Sequence, residues 1–142
     1  MTDRIKLIGN VASPYTRKMI AYLRYKRIPY EVIWGQPEDV LKEMKIEAPK
    51  PILLPVFILD RDRQATAVTD STPLIREFEE KYSDRSVLPK DPALNFINFV
   101  LEDFGDEWCT KFMFHYRWHF DEDADNAGTI LPLGINSNLK DD

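Results

Sequence analysis

The first third of the chain constrains the fold most, because short apolar segments alternate there with helix-opening signals. The segment Ile5–Ile8 predicts a buried strand, and Tyr30–Trp34 alternates β-branched and aromatic residues as a second strand does. Between them, Ser13-Pro14 opens a segment with apolar residues at helical spacing. Serine is a strong N-cap and proline fits the first helical turn. A helix between two strands predicts a βαβ unit with parallel strands.

The next segments predict a short helix, a hairpin and a third helix. A weak helical pattern covers Pro37–Ile46, and an apolar strand entered through a proline covers Leu53–Asp60. We expect Ala65–Thr69 to pair with that strand as a hairpin. Asp70–Pro73 then opens another helix, and Ser83–Pro89 reads as an interdomain linker.

The C-terminal part predicts one long apolar helix followed by irregular structure. An apolar stripe from Ala93 to Phe120 would form a helix about 42 Å long. A small α/β domain cannot cover such a helix, so we expect further helices or a second subunit against it. The sequence turns acidic after Asp121, which predicts a loop, and residues 136–142 read as a solvated tail.

Composition excludes several classes of function. The net charge of the 142-residue chain is -5 and no long basic block occurs, which argues against a nucleic-acid partner. Cys109 is the single cysteine, so no intramolecular disulfide can form, as suits a reducing compartment. The chain enters its first strand without a secretory signal, and no apolar run approaches the roughly 20 residues of a membrane span. We therefore expect a cytoplasmic protein without a membrane partner.

Three local motifs follow one another in a specific order. They are Ser13–Lys18 at the first helix, Leu54–Val56 at the third strand and Asp70–Ile75 at the third helix. In this order and spacing, the chain resembles the glutathione S-transferase family over about residues 5–120.

The resemblance implies an α/β fold in two domains. Residues 1–84 would form a thioredoxin-like βαβ-α-ββα domain that binds glutathione. Residues 85–142 would form an all-α C-terminal extension, shorter than the helical bundle of the family. The chain is then either a fragment or a naturally short member.

The same resemblance implies a glutathione site with five residues. Ser13 would be catalytic, donating a hydrogen bond that stabilises the glutathione thiolate. Pro55 would be in the cis conformation and would turn the Leu54 backbone toward the peptide part of glutathione. Asp70 would pair with the γ-glutamyl amino group and Ser71 with its carboxylate. Glutathione is thus expected as co-substrate, with no metal.

The resemblance also implies a second substrate and a partner subunit. A small-molecule electrophile would be attacked by the thiolate, as in detoxification, and Trp108, Phe112 and His115 would line its pocket. The long apolar helix and the family both favour a homodimer.

Simpler interpretations stand beside these assignments. Ser13 can be a plain N-cap, and Tyr15 is an alternative partner of the thiol. His115 and His119 have metal-ligand spacing, but polar contacts on the helix surface are favoured over a metal site. A non-catalytic glutathione-binding or scaffold protein is the alternative function. A redox enzyme is disfavoured because no cysteine occurs near the first helix.

Overall fold

The computed structural model describes residues 4–135, and the tail predicted for 136–142 lies outside them. The strands are β1 (Ile5–Gly9), β2 (Tyr30–Trp34), β3 (Val56–Arg61) and β4 (Gln64–Val68). The helices are α1 (Pro14–Lys26), α2 (Pro37–Met44), α3 (Ser71–Lys81), α4 (Pro92–Asp103), α5 (Cys109–Trp118) and α6 (Asp121–Ile135). A π-helical segment, Phe104–Trp108, joins α4 to α5.

The four strands form one mixed sheet in the order β2-β1-β3-β4. Strands β1 and β2 are parallel, with Ile8 opposite Ile33, which confirms the predicted βαβ pairing. Strand β3 is antiparallel to β1, with Val56 opposite Ile8, and β4 returns beside β3 as the predicted hairpin. The end of β1, the start of β3 and the end of β4 therefore lie at one edge of the sheet.

The core has two halves because successive strand residues point to opposite faces of the sheet. On one face Phe57 meets Phe78 of α3, with ring centroids 5.6 Å apart. On the other face Ile8, Leu41 and Val56 form a buried cluster that holds α2. Burial of each such side chain contributes about 1.5–3 kcal/mol.

A buried polar network links α1 to α3. The Lys26 ammonium lies 2.9 Å from the Glu79 carboxylate, and these side chains are 0% and 5% exposed. Tyr22 donates its hydroxyl to Glu79 at 2.8 Å, and Lys26 also donates to the carbonyl of Tyr82 at 2.6 Å. Burial raises the pKa of the Tyr22 hydroxyl, and its hydrogen bond to Glu79 and the charge of that carboxylate raise it further.

The long helix predicted from Ala93 to Phe120 is present, because α4, the π-helical segment and α5 follow one another without a gap from Pro92 to Trp118. The prediction for the residues that follow it is wrong. The region after Asp121 is helical rather than a loop. Acidic residues fill its first turn, where the positive end of the helix dipole favours them. Pro132 lies near the C-terminal end of α6, so most of the turns of the helix precede it.

The chain divides into two compact units. The first comprises residues 4–85 together with the last turn of α6, residues 132–135. The second unit, Ser86–Leu131, carries many exposed apolar side chains. Phe96, Leu101 and Tyr116 are each more than 60% exposed. Within residues 4–135, no helix has the length and apolar character needed to cross a membrane.

Candidate functional site

Three segments of the first unit converge at one edge of the sheet. Ser13 follows β1 through a short loop, and Pro55 immediately precedes β3. Asp70 comes two residues after β4, at the start of α3. The strand register described above therefore brings together all three motifs that the sequence singled out.

Ser13 is held at the start of α1 by a chain of hydrogen bonds. Its Oγ accepts the backbone N–H of Thr16 at 3.2 Å, so the predicted N-cap is confirmed. Its own N–H donates to the carbonyl of Asn10 at 3.1 Å. Because the cap uses Ser13 as an acceptor, its hydroxyl proton is left to donate elsewhere.

Asn10 organises the loop before Ser13. Its Oδ1 accepts the N–H of Ala12 at 2.9 Å, and its N–H donates to the Thr16 hydroxyl at 3.3 Å. Its Nδ2 donates to the carbonyl of Gly134, in the last turn of α6, at 2.9 Å. A side chain on Gly134 would overlap the Asn10 amide. No local sequence pattern indicates this role of Asn10, because Gly134 lies 124 residues away in the chain.

The loop before β3 presents a turned backbone. The Leu54–Pro55 peptide bond is cis, as the family resemblance implied, and Lys50–Pro51 is also cis, which was not predicted. The Thr69 hydroxyl donates to the carbonyl of Leu53 at 2.7 Å and ties this loop to the end of β4. Among residues 4–135, the Leu54 backbone has no hydrogen-bond partner. It can therefore pair with an extended peptide.

Asp70 and Ser71 place a carboxylate beside a hydroxyl that contacts a cation. Asp70 caps α3 by accepting the N–H of Thr72 at 3.2 Å. Ser71 is the first residue of α3 and only 6% exposed. Lys18 of α1 donates its ammonium to the Ser71 hydroxyl at 3.0 Å. The site thus contains a cation that none of the three sequence motifs predicted.

A periodic signal for Lys18 was present in the sequence. Lys18, Tyr22 and Lys26 follow one another at intervals of four, so they share one face of α1. Each donates to a residue of α3 or to its C-cap. The spacing could have grouped the three residues, but a single sequence does not reveal their partners.

The three residues predicted to line a second-substrate pocket lie in the second unit. Trp108 and Phe112 are 54% and 50% exposed, and His115 is also exposed. The Lys111 ammonium lies 4.5 Å from the Trp108 ring, and the ring of His115 stacks on that of His119 at 4.5 Å. Their role in a pocket stays a prediction.

No metal centre is evident within the described part of the chain. Residues 4–135 contain no group of three or more His, Cys, Asp and Glu side chains placed to hold a metal ion.

Comparison with known proteins identifies relatives of this chain. Residues 7–86, more than half of the chain, match the family model for the N-terminal domain of glutathione S-transferases. Glutathione S-transferase U6 of Arabidopsis thaliana is 24% identical over 90 residues, which are 63% of this chain and 39% of the relative.

Solved structures of similar fold also include glutathione S-transferases. One from Methylobacterium radiotolerans, in complex with glutathione sulfonate, has a TM-score of 0.64 and 24% identity. It matches 95% of this chain and 63% of its own. The Tau-class enzyme of mango, Mangifera indica, has a TM-score of 0.61 and 22% identity, with coverages of 91% and 58%. These similarities confirm the predicted α/β fold, a thioredoxin-like domain followed by a helical region. The chain spans less than two thirds of each relative's length.

Proposed function

Because the chain belongs to the glutathione S-transferase family, we propose that it binds glutathione and stabilises its thiolate for attack on a small electrophile. The observation that carries this proposal is the convergence of Ser13, the Leu54–Pro55 backbone and Asp70–Ser71 at one edge of the sheet. Each of the three segments offers a different complement to glutathione.

Backbone hydrogen bonds and a charged side chain would bind the peptide part of glutathione. The Leu54 N–H and C=O, which have no partner among residues 4–135, would form hydrogen bonds to the cysteinyl residue, with Pro55 setting their direction. The Asp70 carboxylate would pair with the γ-glutamyl ammonium, and the Ser71 hydroxyl with the γ-glutamyl carboxylate.

Ser13 would act on the thiol. A free thiol has a pKa of about 8.5, so little thiolate exists at neutral pH without stabilisation. The Ser13 hydroxyl proton, together with the N-terminus of α1, would favour the thiolate after the thiol proton has left to solvent. The sulfur then forms a bond to the electrophilic carbon, and the leaving group departs with its bonding electrons.

The second substrate and the assembly are further parts of the proposal. Trp108, Phe112 and His115 supply aromatic surface for an apolar electrophile, and the exposed apolar side chains of the second unit support a homodimer. A cytoplasmic location follows from the expected reducing environment.

A non-catalytic glutathione-binding protein is the second candidate. It is favoured by the exposure of Trp108 and Phe112, each about half accessible to solvent, because an electrophile pocket would enclose such rings. Binding and turnover must therefore be tested separately.

Binding is tested by retention on immobilised glutathione and by titration calorimetry. We expect the full chain to be retained and Ser71→Ala to lose most of its affinity. Ser83→Ala removes an exposed serine outside the site and should behave as wild type. Absence of binding by the wild-type chain would refute both candidate functions.

Turnover is tested with a chromogenic electrophile. Ser13→Ala should keep glutathione affinity within a few-fold but lower kcat by about 10- to 100-fold, the loss of one charge-assisted hydrogen bond. The thiolate absorbance of bound glutathione, followed against pH, should show the thiol pKa moving back toward about 8.5. Binding without turnover in the wild type would select the non-catalytic protein.

A further inference from the structure

Asn10, the residue immediately after β1, uses its backbone N–H and C=O and both polar atoms of its side chain in hydrogen bonds. Three of these bonds stay within the loop and the first turn of α1, where the partners are Ala12, Ser13 and Thr16. The fourth joins Nδ2 to the carbonyl of Gly134 at 2.9 Å. Asn10 therefore connects the backbone of Ser13 to the last turn of α6.

The Asn10 amide is held at both of its polar ends. The Ala12 N–H only donates and the Gly134 carbonyl only accepts, so together they fix which end of the amide faces each of them. Gly134 lies where the carbonyl groups of α6 have no partner within the helix, and the Asn10 amide supplies one. Both residues belong to the first compact unit. The loop that carries Ser13 is therefore held by α1 and by the end of α6.

The contact requires glycine at position 134. A Cβ there would overlap Nδ2 of Asn10 and would lie 2.6 Å from its Oδ1 and 2.9 Å from its Cγ. Atoms that are not bonded do not pack this closely in protein interiors, so the amide would have to move. It would then lose its bonds to both Ala12 and Gly134, and the loop would keep only its bonds to α1.

We propose that Asn10 and Gly134 are positioning residues for Ser13, through which the last turn of α6 controls stabilisation of the glutathione thiolate. This inference rests on the proposed role of Ser13 and extends that role to a contact with α6. The two residues act by keeping the Ser13 hydroxyl in place. Leu54 and Asp70 take no part in these hydrogen bonds, so the affinity for glutathione should be almost independent of the contact.

The thiol pKa of bound glutathione tests this role. The variants are Gly134→Ala, Asn10→Ala and their combination, because the three atoms nearest to the added Cβ all belong to the Asn10 side chain. Gly128→Ala is the matched control, since it makes the same change in α6 and meets nothing within 4 Å outside the adjacent helix backbone.

Three measurements are made on each variant. Thiolate absorbance of bound glutathione is followed against pH, and the spectrum of the ligand-free variant is subtracted to remove the contribution of Cys109. Calorimetry gives the affinity for glutathione, and urea unfolding confirms that each variant is folded. A residue with a merely structural role would change stability without moving the thiol pKa.

We expect Gly134→Ala to bind glutathione within a few-fold of wild type, while the bound thiol pKa moves part of the way toward about 8.5. Turnover of a chromogenic electrophile at neutral pH should fall about 3- to 10-fold, less than in Ser13→Ala, because the hydroxyl is displaced rather than removed. Gly134→Ala should have no further effect in the Asn10→Ala background, and Gly128→Ala should match wild type.

The outcomes separate this inference from the proposed function. If wild type does not bind glutathione, or if Ser13→Ala leaves the bound thiol pKa unchanged, the proposed function of Ser13 fails and the inference fails with it. If Ser13→Ala raises that pKa but Gly134→Ala does not, only the inference fails. An effect of Gly134→Ala that persists in the Asn10→Ala background also rejects it, because the overlap is then absent. If Gly134→Ala does not fold, Asn10→Ala takes its place, and a wild-type thiol pKa in that variant rejects the inference.

Discussion

Asp70 has a backbone conformation that residues other than glycine rarely adopt. Its φ is 80° and its ψ is 115°, a region that costs about 1–3 kcal/mol for a residue other than glycine. Its side chain also caps α3. The residue therefore combines local strain with the carboxylate that the proposed site needs.

Two substitutions separate the backbone of Asp70 from its charge. Asp70→Gly should raise stability to urea by about 1 kcal/mol, because glycine accepts this φ, while glutathione affinity falls. Asp70→Asn should keep the cap and the stability, and lose affinity through its missing charge. Urea unfolding and calorimetry measure the two effects. Unchanged glutathione affinity in Asp70→Asn would reject the assigned pairing with the ammonium.

The raised pKa of Tyr22 predicts that the protein loses stability at alkaline pH. Its raised pKa means that the folded protein retains the hydroxyl proton above pH 10, where the unfolded chain releases it. The contribution of the protonated Tyr22 hydroxyl to the free energy of unfolding is complete below about pH 10 and is lost as the pH rises further. Urea unfolding between about pH 9 and pH 11 should show a smaller decline for Tyr22→Phe than for wild type. Tyr116→Phe, which removes an exposed hydroxyl, is the control, and equal slopes for wild type and Tyr22→Phe would contradict the prediction.

The close approach of β1 to α1 depends on Gly9. A Cβ added there would lie 2.5 Å from Cγ2 of Thr16, which is fully buried. Gly9→Ala should therefore destabilise the protein by about 1–3 kcal/mol. Thr16→Ser removes that methyl group and keeps the hydroxyl that accepts the Asn10 N–H.

Combining the two substitutions tests this steric explanation. Gly9→Ala with Thr16→Ser should be more stable than Gly9→Ala alone in urea unfolding. Gly105→Ala is the matched control, since no atom lies within 4 Å of its added Cβ. A double variant no more stable than Gly9→Ala would show that the cost arises elsewhere.

The ion pair between α1 and α3 should matter far more than an exposed pair. Lys26→Met removes a buried cation that lies against the Glu79 carboxylate and should cost about 3–5 kcal/mol. Lys26→Met with Glu79→Leu should cost less than Lys26→Met alone, because no buried charge remains. Arg61→Met breaks a pair with Glu77 whose side chains are 45% and 41% exposed, and should cost at most about 1 kcal/mol. Chemical denaturation measures the free energy of unfolding of each variant. If the costs of Lys26→Met and Glu79→Leu simply add in the double variant, the proposed energetic coupling of the two side chains is contradicted.

Signals read from neighbouring residues predicted the first unit well. Local backbone geometry determines the cap at Ser13, the proline before β3 and the helix start at Asp70, so each could be predicted from nearby residues. The order of the strands then places all three at one edge of the sheet. Lys18 and Asn10 were missed because their contacts join residues 53 and 124 positions apart. The helix α6 was missed because its acidic start was read as a loop, without weighing the stabilising helix dipole.

The second unit gives the protein an unusually apolar exterior. Large apolar side chains along α4, the π-helical segment and α5 are exposed, and we expect some of them to lie in an interface with another molecule. We expect the apparent mass in sedimentation to rise with protein concentration. Leu101→Glu should weaken this association by about tenfold or more, because a charge would enter the contact.

A polar position on the same helix provides the control for this association. Asn95→Glu adds the same charge where the side chain is already polar and exposed, and should leave the association nearly unchanged. A wild-type chain that stays monomeric at every concentration would refute the proposed homodimer.

The neighbouring cation and anion of the proposed site have a consequence for how a ligand approaches it. Lys18, which contacts Ser71, and Asp70 carry opposite charges, so together they add no net charge to the site. What remains at long range is the protein's net charge of -5, which repels a negatively charged tripeptide. Glutathione would therefore arrive without electrostatic steering, and added salt should speed its association rather than slow it.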